Sequence, residues 1–207
     1  MSADFSYERA AHDAGKAVVC GVDEAGAGPL MGPVYAAAVI LPDDCGIEGL
    51  DDSKKLTEKR REALFDVICA RAVAYSIASV SAQEIDELDI LNARMKAMQC
   101  AIDGLSVPVD LALIDGNRDH GSRCAITAPH ELLVGGDGKS ASIAAASILA
   151  KVSRDRYVRE VIDRQYPQYG FARHKGYGTK LHYAMLDAYG PCAEHRRSFL
   201  KKWEARR

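Results

Sequence analysis

The sequence predicts an α/β fold: a mixed sheet flanked by helices and finished by a C-terminal helical segment. Three observations predict it. Two short apolar runs, Val18–Val22 and Val34–Leu41, flank a Gly/Pro turn, as in an antiparallel strand pair. Two more, Val109–Ile114 and His130–Val134, alternate with stretches of helical periodicity, which places helices on both faces of a sheet. The hydrophobic share of 48% and charged share of 27% are those of a globular chain, and 207 residues fit one domain.

In order, residues 1–17 are expected to form a short leader, frayed or helical. The two runs around Gly26-Ala27-Gly28-Pro29 follow. Thr57 is an N-cap with Glu58 in the first turn of a helix whose Leu64 and Ile68 share a face. A third strand is expected over Ala72–Val80, where Val73, Tyr75 and Ile77 alternate with small residues. Ser81 and Glu84 form a capping-box pattern. Leu91, Met95, Met98 and Ile102 recur at helical spacing, and such a stripe is core packing. From Ser140 a long helix is expected to run to about Arg164, stopped before Pro167, and its Ala144-Ala145-Ala146 stretch is small enough to lie close against a sheet. Helices over Thr179–Tyr189 and Arg197–Glu204 finish the chain. Residues 18–172 then make a catalytic domain, and the basic segment 173–207 completes it.

The net charge of −2 does not announce a nucleic-acid binder, but its distribution is uneven. Residues 173–207 hold nine Lys/Arg against three acids, a local excess of +6. Six scattered cysteines, with no C-x-x-C and no clustering with histidine, argue against zinc sites and redox pairs. Met1–Lys16 has no apolar signal core, and no run approaches the ~20 apolar residues of a membrane span. A cytoplasmic protein with free thiols and no membrane association is expected, and a monomer.

Three strand ends finish in carboxylates: Asp23-Glu24, Asp115 and Asp137. Ligands of open α/β sheets gather at such ends. Oxygen-only sets suit Mg²⁺ or Mn²⁺, and two such ions can stabilise both oxygens of an in-line phosphodiester displacement. Singly, each acid has an ordinary reading, Asp115 before Gly116 as a turn residue and Asp137 as a helix cap. Together at strand ends they point to chemistry. Neighbours in a strand face opposite ways, so for Asp23 and Glu24 to share a cleft the strand is expected to end or bulge at Glu24. Gly26-Ala27-Gly28 is followed by a β-type run, which excludes a dinucleotide fingerprint. Gly138-Lys139-Ser140 lacks the glycine a P-loop needs at Leu133.

Six segments then resemble, in order and spacing, the motifs of ribonuclease HII. They are Gly21–Pro29, Asp52–Leu56, Ile114–Asn117, Gly136-Asp137 with Ala144–Asp155, His174–Thr179 and Glu194–Phe199. The resemblance covers about residues 18–200. It implies a ribonuclease H-like fold and an endonuclease that cuts 5′ to a ribonucleotide, in RNA/DNA hybrids or in DNA duplexes with embedded ribonucleotides. It implies two-metal hydrolysis, with Mg²⁺ or Mn²⁺, leaving a 3′-hydroxyl and a 5′-phosphate. Asp23, Glu24, Asp115 and Asp137 would hold the ions. Gly26, Ala27 and Gly28 would read the 2′-hydroxyl through backbone amides. Tyr177 would stack on the deoxyribose beyond the junction, and Lys54, Lys55, Arg197 and Ser198 would hold phosphates. Asp155, beside Arg154, is a structural ion partner.

Two positions depart from the family. Ala27 stands where it usually has arginine, and Gly135 where it often has lysine, so two cations are gone from the cleft. Lys139 or Lys175 is expected to compensate in part. The alternatives are a catalytically weakened nucleic-acid-binding protein of the same fold, or another ribonuclease H-like nuclease.

Overall fold

The computed structural model describes residues 3–43 and 45–206. Met1 and Ser2 of the leader, Asp44, and Arg207 of the basic tail lie outside the described residues. Strands β1 (Val19–Ala25), β2 (Val34–Ile40), β3 (Ala74–Val80), β4 (Leu111–Asp115) and β5 (His130–Leu133) form one sheet in the order β3-β2-β1-β4-β5. The β1/β2 and β2/β3 pairs are antiparallel, and the β1/β4 and β4/β5 pairs are parallel. β3 starts two residues later than its apolar run, because Ala72 serves as the extended C-cap of α2 (Glu58–Arg71).

Strand alternation sorts the core into two layers. Cys20, Val22, Ala36, Ala38 and Ile114 face α4 (Ile90–Asp103), whose Met95, Met98 and Ile102 form the expected apolar stripe. Ala37 and Val39 face α5 (Ala141–Tyr157) on the other side, where Ala144, Ala145 and Ile148 meet them, and α2 packs outside through Leu64 and Ile68. The approach of α5 is close: a Cβ on Gly21 would strike the backbone of Ser142 and Ile143. Glycine in β1 and alanines in α5 therefore set the distance at which residues of these two elements meet.

The caps read from sequence are present. Thr57 accepts from the Arg60 amide, and Ser81 and Glu84 close a reciprocal box at the start of α3 (Ala82–Leu88). The long helix from Ser140 differs in one respect. A π-helical turn, Val158–Ile162, joins α5 to α6 (Asp163–Gln165), and the wider turn keeps Val158 and Ile162 buried against Met31 and Phe171. Helices α7 (Phe171–His174), α8 (Lys180–Tyr189) and α9 (Arg197–Glu204) follow. No helix among the described residues is long and apolar enough to cross a membrane.

The leader folds as α1 (Ser6–Asp13) and reaches the start of α5. Glu8 is buried there. Its Oε1 accepts from the Ser140 hydroxyl (2.6 Å), the Ser142 hydroxyl (2.6 Å) and the Ser142 amide (2.9 Å). A carboxylate at a helix N-terminus satisfies orphan amides and opposes the dipole. Glu8→Ala leaves those buried donors without an acceptor and should cost roughly 1–3 kcal/mol. An unchanged midpoint in urea unfolding would contradict this.

Candidate active site

Parallel pairing of β1 with β4 sets Val22 beside Ile114, so the next residues, Asp23 and Asp115, emerge side by side at the carboxyl edge of the sheet. Both follow the α5-facing parity of their strands. Asp115 Oδ1 accepts from the Gly136 amide at 2.7 Å, which draws in the 3₁₀ turn Gly136–Gly138 and with it Asp137. One carboxylate oxygen of each of Asp23, Asp115 and Asp137 lies within 4.8 Å of the other two. Ser147 of α5 lies within hydrogen-bond reach of Asp23 and 2.9 Å from Ser53 Oγ. Both serines lie inside the matched segments, but Ser147, in an alanine-rich stretch of helix, carries no signal of its own in the sequence.

Burial, then the charges of Glu24 and Asp115, hold the Asp23 carboxyl well above the ordinary range. Burial and Asp115 raise Asp137 likewise. Such a set is unfavourable unless positive charge joins it. Lys54 Nζ stands 3.9 Å from Asp137 Oδ2. Burial works against its charge, but Asp137, Asp23, Asp52 and Asp115 outweigh it and raise its pKa. Three mutually repelling carboxylates, of which Asp23 reaches the wall of a cleft, are a donor set that fits hard divalent cations.

Glu24 is placed differently from the expectation. β1 does not end or bulge there; its register against β2 runs unbroken through Glu24↔Ala36 to Ala25↔Tyr35. Alternation therefore sends Glu24 to the α4 face, where Arg94 Nη2 lies 2.7 Å from Oε1. Burial raises the Glu24 carboxyl, with Arg94 opposing and Asp115 adding to the rise. Three acids cluster, and the fourth stands at their flank on a guanidinium that sequence reasoning missed. The α4 stripe reads as packing alone in the sequence, and Arg94 lies between its apolar positions.

The loop after β1 is built on two buried arginines. Arg196, fully buried, donates to the carbonyls of Gly26 (2.7 Å), Ala27 (3.0 Å), Pro29 (2.9 Å) and Gly32 (2.9 Å). Arg154 donates to those of Met31, Pro33 and Lys175. Gly26 has φ +96°, and a Cβ on it would strike the Arg154 side chain, so glycine is required twice over. Burial, with Arg154 nearby, pushes Arg196 down to about 9, which leaves it charged at neutral pH. In a trans peptide the N–H points opposite to the preceding C=O. With the Gly26 and Ala27 carbonyls drawn back to Arg196, the amides of Ala27 and Gly28 point the other way.

That side is a cleft of about 260 Å³ walled by Asp23, Glu24, the Gly26–Gly28 segment, Lys54, Lys151 and Tyr177. Tyr177 is 44% exposed, with Lys151 Nζ 5.9 Å from its ring centroid. The expected compensating lysines are engaged elsewhere: Lys139 Nζ donates to the Val134 carbonyl, and Lys175 Nζ to that of Ala172. Lys54 and Lys151 are the lysines that line the cleft. Lys55 pairs with Asp51 at 2.9 Å. Asp86 of α3 accepts from the Arg197 and Ser198 amides and the Ser198 hydroxyl, capping α9 and occupying the Ser198 hydroxyl, while the Arg197 side chain is exposed. Asp155 is held by Lys151 at 2.8 Å and Arg154 at 3.7 Å, as a structural partner should be.

Beneath Tyr177 lie three buried imidazoles, His174, His182 and His195. Burial pushes His182 and His195 down to about 4. The unfolded chain takes up protons that these folded rings refuse, so their share of stability is intact above about pH 6.5 and is lost as pH falls towards 4. Melting temperature should drop across that window, and drop less in His182→Asn. Parallel pH curves for the two proteins would contradict the assignment.

The geometry has counterparts in known proteins. The Ribonuclease HII family model matches residues 20–203. Over 194 residues the chain is 57% identical to Ribonuclease HII of Burkholderia pseudomallei (strain 1710b), covering 93% of this chain and 88% of that protein. It is 56% identical, with the same coverage, to that of Burkholderia thailandensis. Among solved structures it is similar to the ribonuclease H2 from Pyrococcus horikoshii OT3, with TM-score 0.74, 27% identity and coverage of 91% of this chain and 97% of that one. It is also similar to the structure of the PCNA:RNase HII complex from Archaeoglobus fulgidus, with TM-score 0.71, 25% identity and coverage of 90% and 94%. The chain belongs to the ribonuclease HII family: it is a metal-dependent ribonuclease H that acts on nucleic acid as an endonuclease.

Proposed function

We propose that the protein hydrolyses the phosphodiester 5′ to a ribonucleotide, in RNA/DNA hybrids and in DNA duplexes carrying embedded ribonucleotides. One observation carries this reading. Asp23, which belongs to the three-carboxylate cluster, lines the same cleft as Ala27 and Gly28, whose amides turn away from Arg196. Amide N–H groups oriented by a buried guanidinium that holds the adjoining carbonyls can meet a 2′-hydroxyl, which DNA lacks, beside an acid of the cluster.

Asp23, Asp115 and Asp137 would hold divalent cations, Mg²⁺ or Mn²⁺, with Glu24 at their flank. Bound there, two such ions supply activation of the attacking water and neutralisation of charge on the departing 3′ oxygen. The rest of the work falls to the chain. The loop fixes the ribose through Ala27 and Gly28. The exposed Tyr177 ring stacks on the neighbouring deoxyribose and sets which sugar enters next. Lys54, with Lys55 and Arg197 further out, holds phosphates and positions the duplex without reading bases. The new P–O bond forms from water as the bond to the preceding 3′ oxygen breaks, leaving a 3′-hydroxyl and a 5′-phosphate.

The test is a DNA duplex with one ribonucleotide, incubated with Mg²⁺ and separately with Mn²⁺. Incision 5′ to the ribonucleotide is expected. Binding without incision under both metals would instead support a nucleic-acid-binding protein that has lost its chemistry. Ala27 lies at the cleft wall where a cation would meet backbone phosphate. Ala27→Arg should therefore tighten duplex binding and steepen the slope of log K against log salt by about one contact. An unmoved slope would place residue 27 away from the phosphates.

A further inference from the structure

We propose that His182 and His195 form a one-way hydrogen-bond strut, running from the Cys192 amide to the Tyr177 carbonyl, that positions the Tyr177 ring in the cleft. The direction follows from the two ends. The Cys192 backbone amide lies 2.9 Å from His195 Nδ1 and can only donate, so that nitrogen is an acceptor and the ring proton sits on Nε2. At the other end the Tyr177 carbonyl lies 3.0 Å from His182 Nδ1 and can only accept, so that nitrogen carries a proton. The two Nε2 atoms face each other at 3.0 Å, with His195 donating and His182 accepting. Each ring therefore has one tautomer, and a second proton on either would break a link.

The strut is built into the core rather than hung on the surface. His182 is 0% exposed and His195 2%. His174 stacks on His182 with centroids 4.6 Å apart, and the Phe171 ring meets both His182 and His195. Tyr177 is tied at both its backbone groups, since its amide donates to the His174 carbonyl at 2.9 Å. Its side chain, by contrast, is among the more exposed aromatics. A rigid backbone beneath a free ring suits a stacking surface, because little freedom remains to be lost when a sugar arrives. His195 also precedes Arg196, so one short segment steadies both the ribose-facing loop and the Tyr177 platform.

His182 is thus a positioning residue that acts through Tyr177, and this rests on the reading of Tyr177 as a substrate contact given above. Imidazole ¹⁵N spectra of the whole protein at neutral pH test the strut directly. The expected result is the Nδ1–H form for His182 and the Nε2–H form for His195; the opposite tautomer at either ring, or a doubly protonated ring, would overturn it. The functional arm uses the duplex with one ribonucleotide. His182→Leu should raise KM by about tenfold, with kcat changed far less, and His182→Asn, whose amide can reach the Tyr177 carbonyl, should recover most of the loss. In a Tyr177→Ala background His182→Leu should change KM less than about twofold. Losses that multiply across the two backgrounds would show that His182 acts elsewhere and would overturn the proposal. If the wild-type protein fails to incise the ribonucleotide, the substrate reading has failed, and the spectra alone decide the strut.

Discussion

Asp23→Asn should lower the rate of incision on the order of a thousandfold or more, while the protein stays folded. The size follows from what is removed. A divalent cation at this site supplies several kcal/mol of charge stabilisation, and each 1.4 kcal/mol is a factor of ten. Asn keeps the shape of the side chain and its place between Ser147 and Asp115, but it cannot contribute the anionic oxygen. Stability should move the other way. Asp23 is buried among like charges that hold its carboxyl far above the usual range. Ionising it at neutral pH therefore costs the metal-free protein stability. The neutral Asn variant should melt no lower than wild type without metal, and higher if the repulsion is not relieved by Lys54. Adding Mg²⁺ or Mn²⁺ should raise the melting temperature of wild type and leave the variant nearly unmoved. Asp137→Asn should give the same pattern in weaker form, because Asp137 already has Lys54 at 3.9 Å. A variant that cuts at near wild-type rate would remove Asp23 from the chemistry.

Arg196→Met should be the most destabilising single change near the cleft, at roughly 3–5 kcal/mol. The methionine fills much of the volume, so packing alone would not account for such a loss. What disappears is a donor set that satisfies four carbonyls of the loop Gly26–Gly32 at 2.7–3.0 Å. Arg196→Lys should rescue little, since an ammonium has three donors on a point and cannot span carbonyls that a planar guanidinium reaches in a fork. Thermal or urea unfolding checks the stability, and incision kinetics check the consequence. Where the loop still folds, the amides of Ala27 and Gly28 lose their fixed direction, and discrimination of a ribonucleotide from a deoxyribonucleotide should fall together with kcat/KM. Unchanged discrimination would mean that the loop is held by something other than Arg196.

The architecture was legible because it is written in periodicities that act locally. Alternation in Val19–Ala25 and Val34–Ile40, the α4 stripe, and the caps at Thr57, Ser81 and Ser140 each depend on residues within a turn or a strand of one another. The candidate acids were legible for a similar reason: Asp23, Asp115 and Asp137 all stand where an apolar run stops. Glu24 shows where that reasoning went too far. Alternation puts it on the opposite face from Asp23, and only an end or a bulge of the strand there would undo this. The strand stays regular and Arg94 receives the carboxylate. Arg154, Arg196, His182 and His195 were out of reach because most of their partners are backbone atoms. A guanidinium that binds carbonyls more than 160 positions away leaves no complementary residue for the eye to find. Even the matched motif around Arg196 had drawn attention to Arg197 and Ser198, whose amides, with the Ser198 hydroxyl, are bound by Asp86.

The most direct test is Mn²⁺ binding, measured by calorimetric titration of the whole protein and of Asp23→Asn. Wild type should take up the ion with release of protons, and the variant should bind it at least about tenfold more weakly. Equal affinity in the two proteins would mean that the carboxylate pocket is not the cation site.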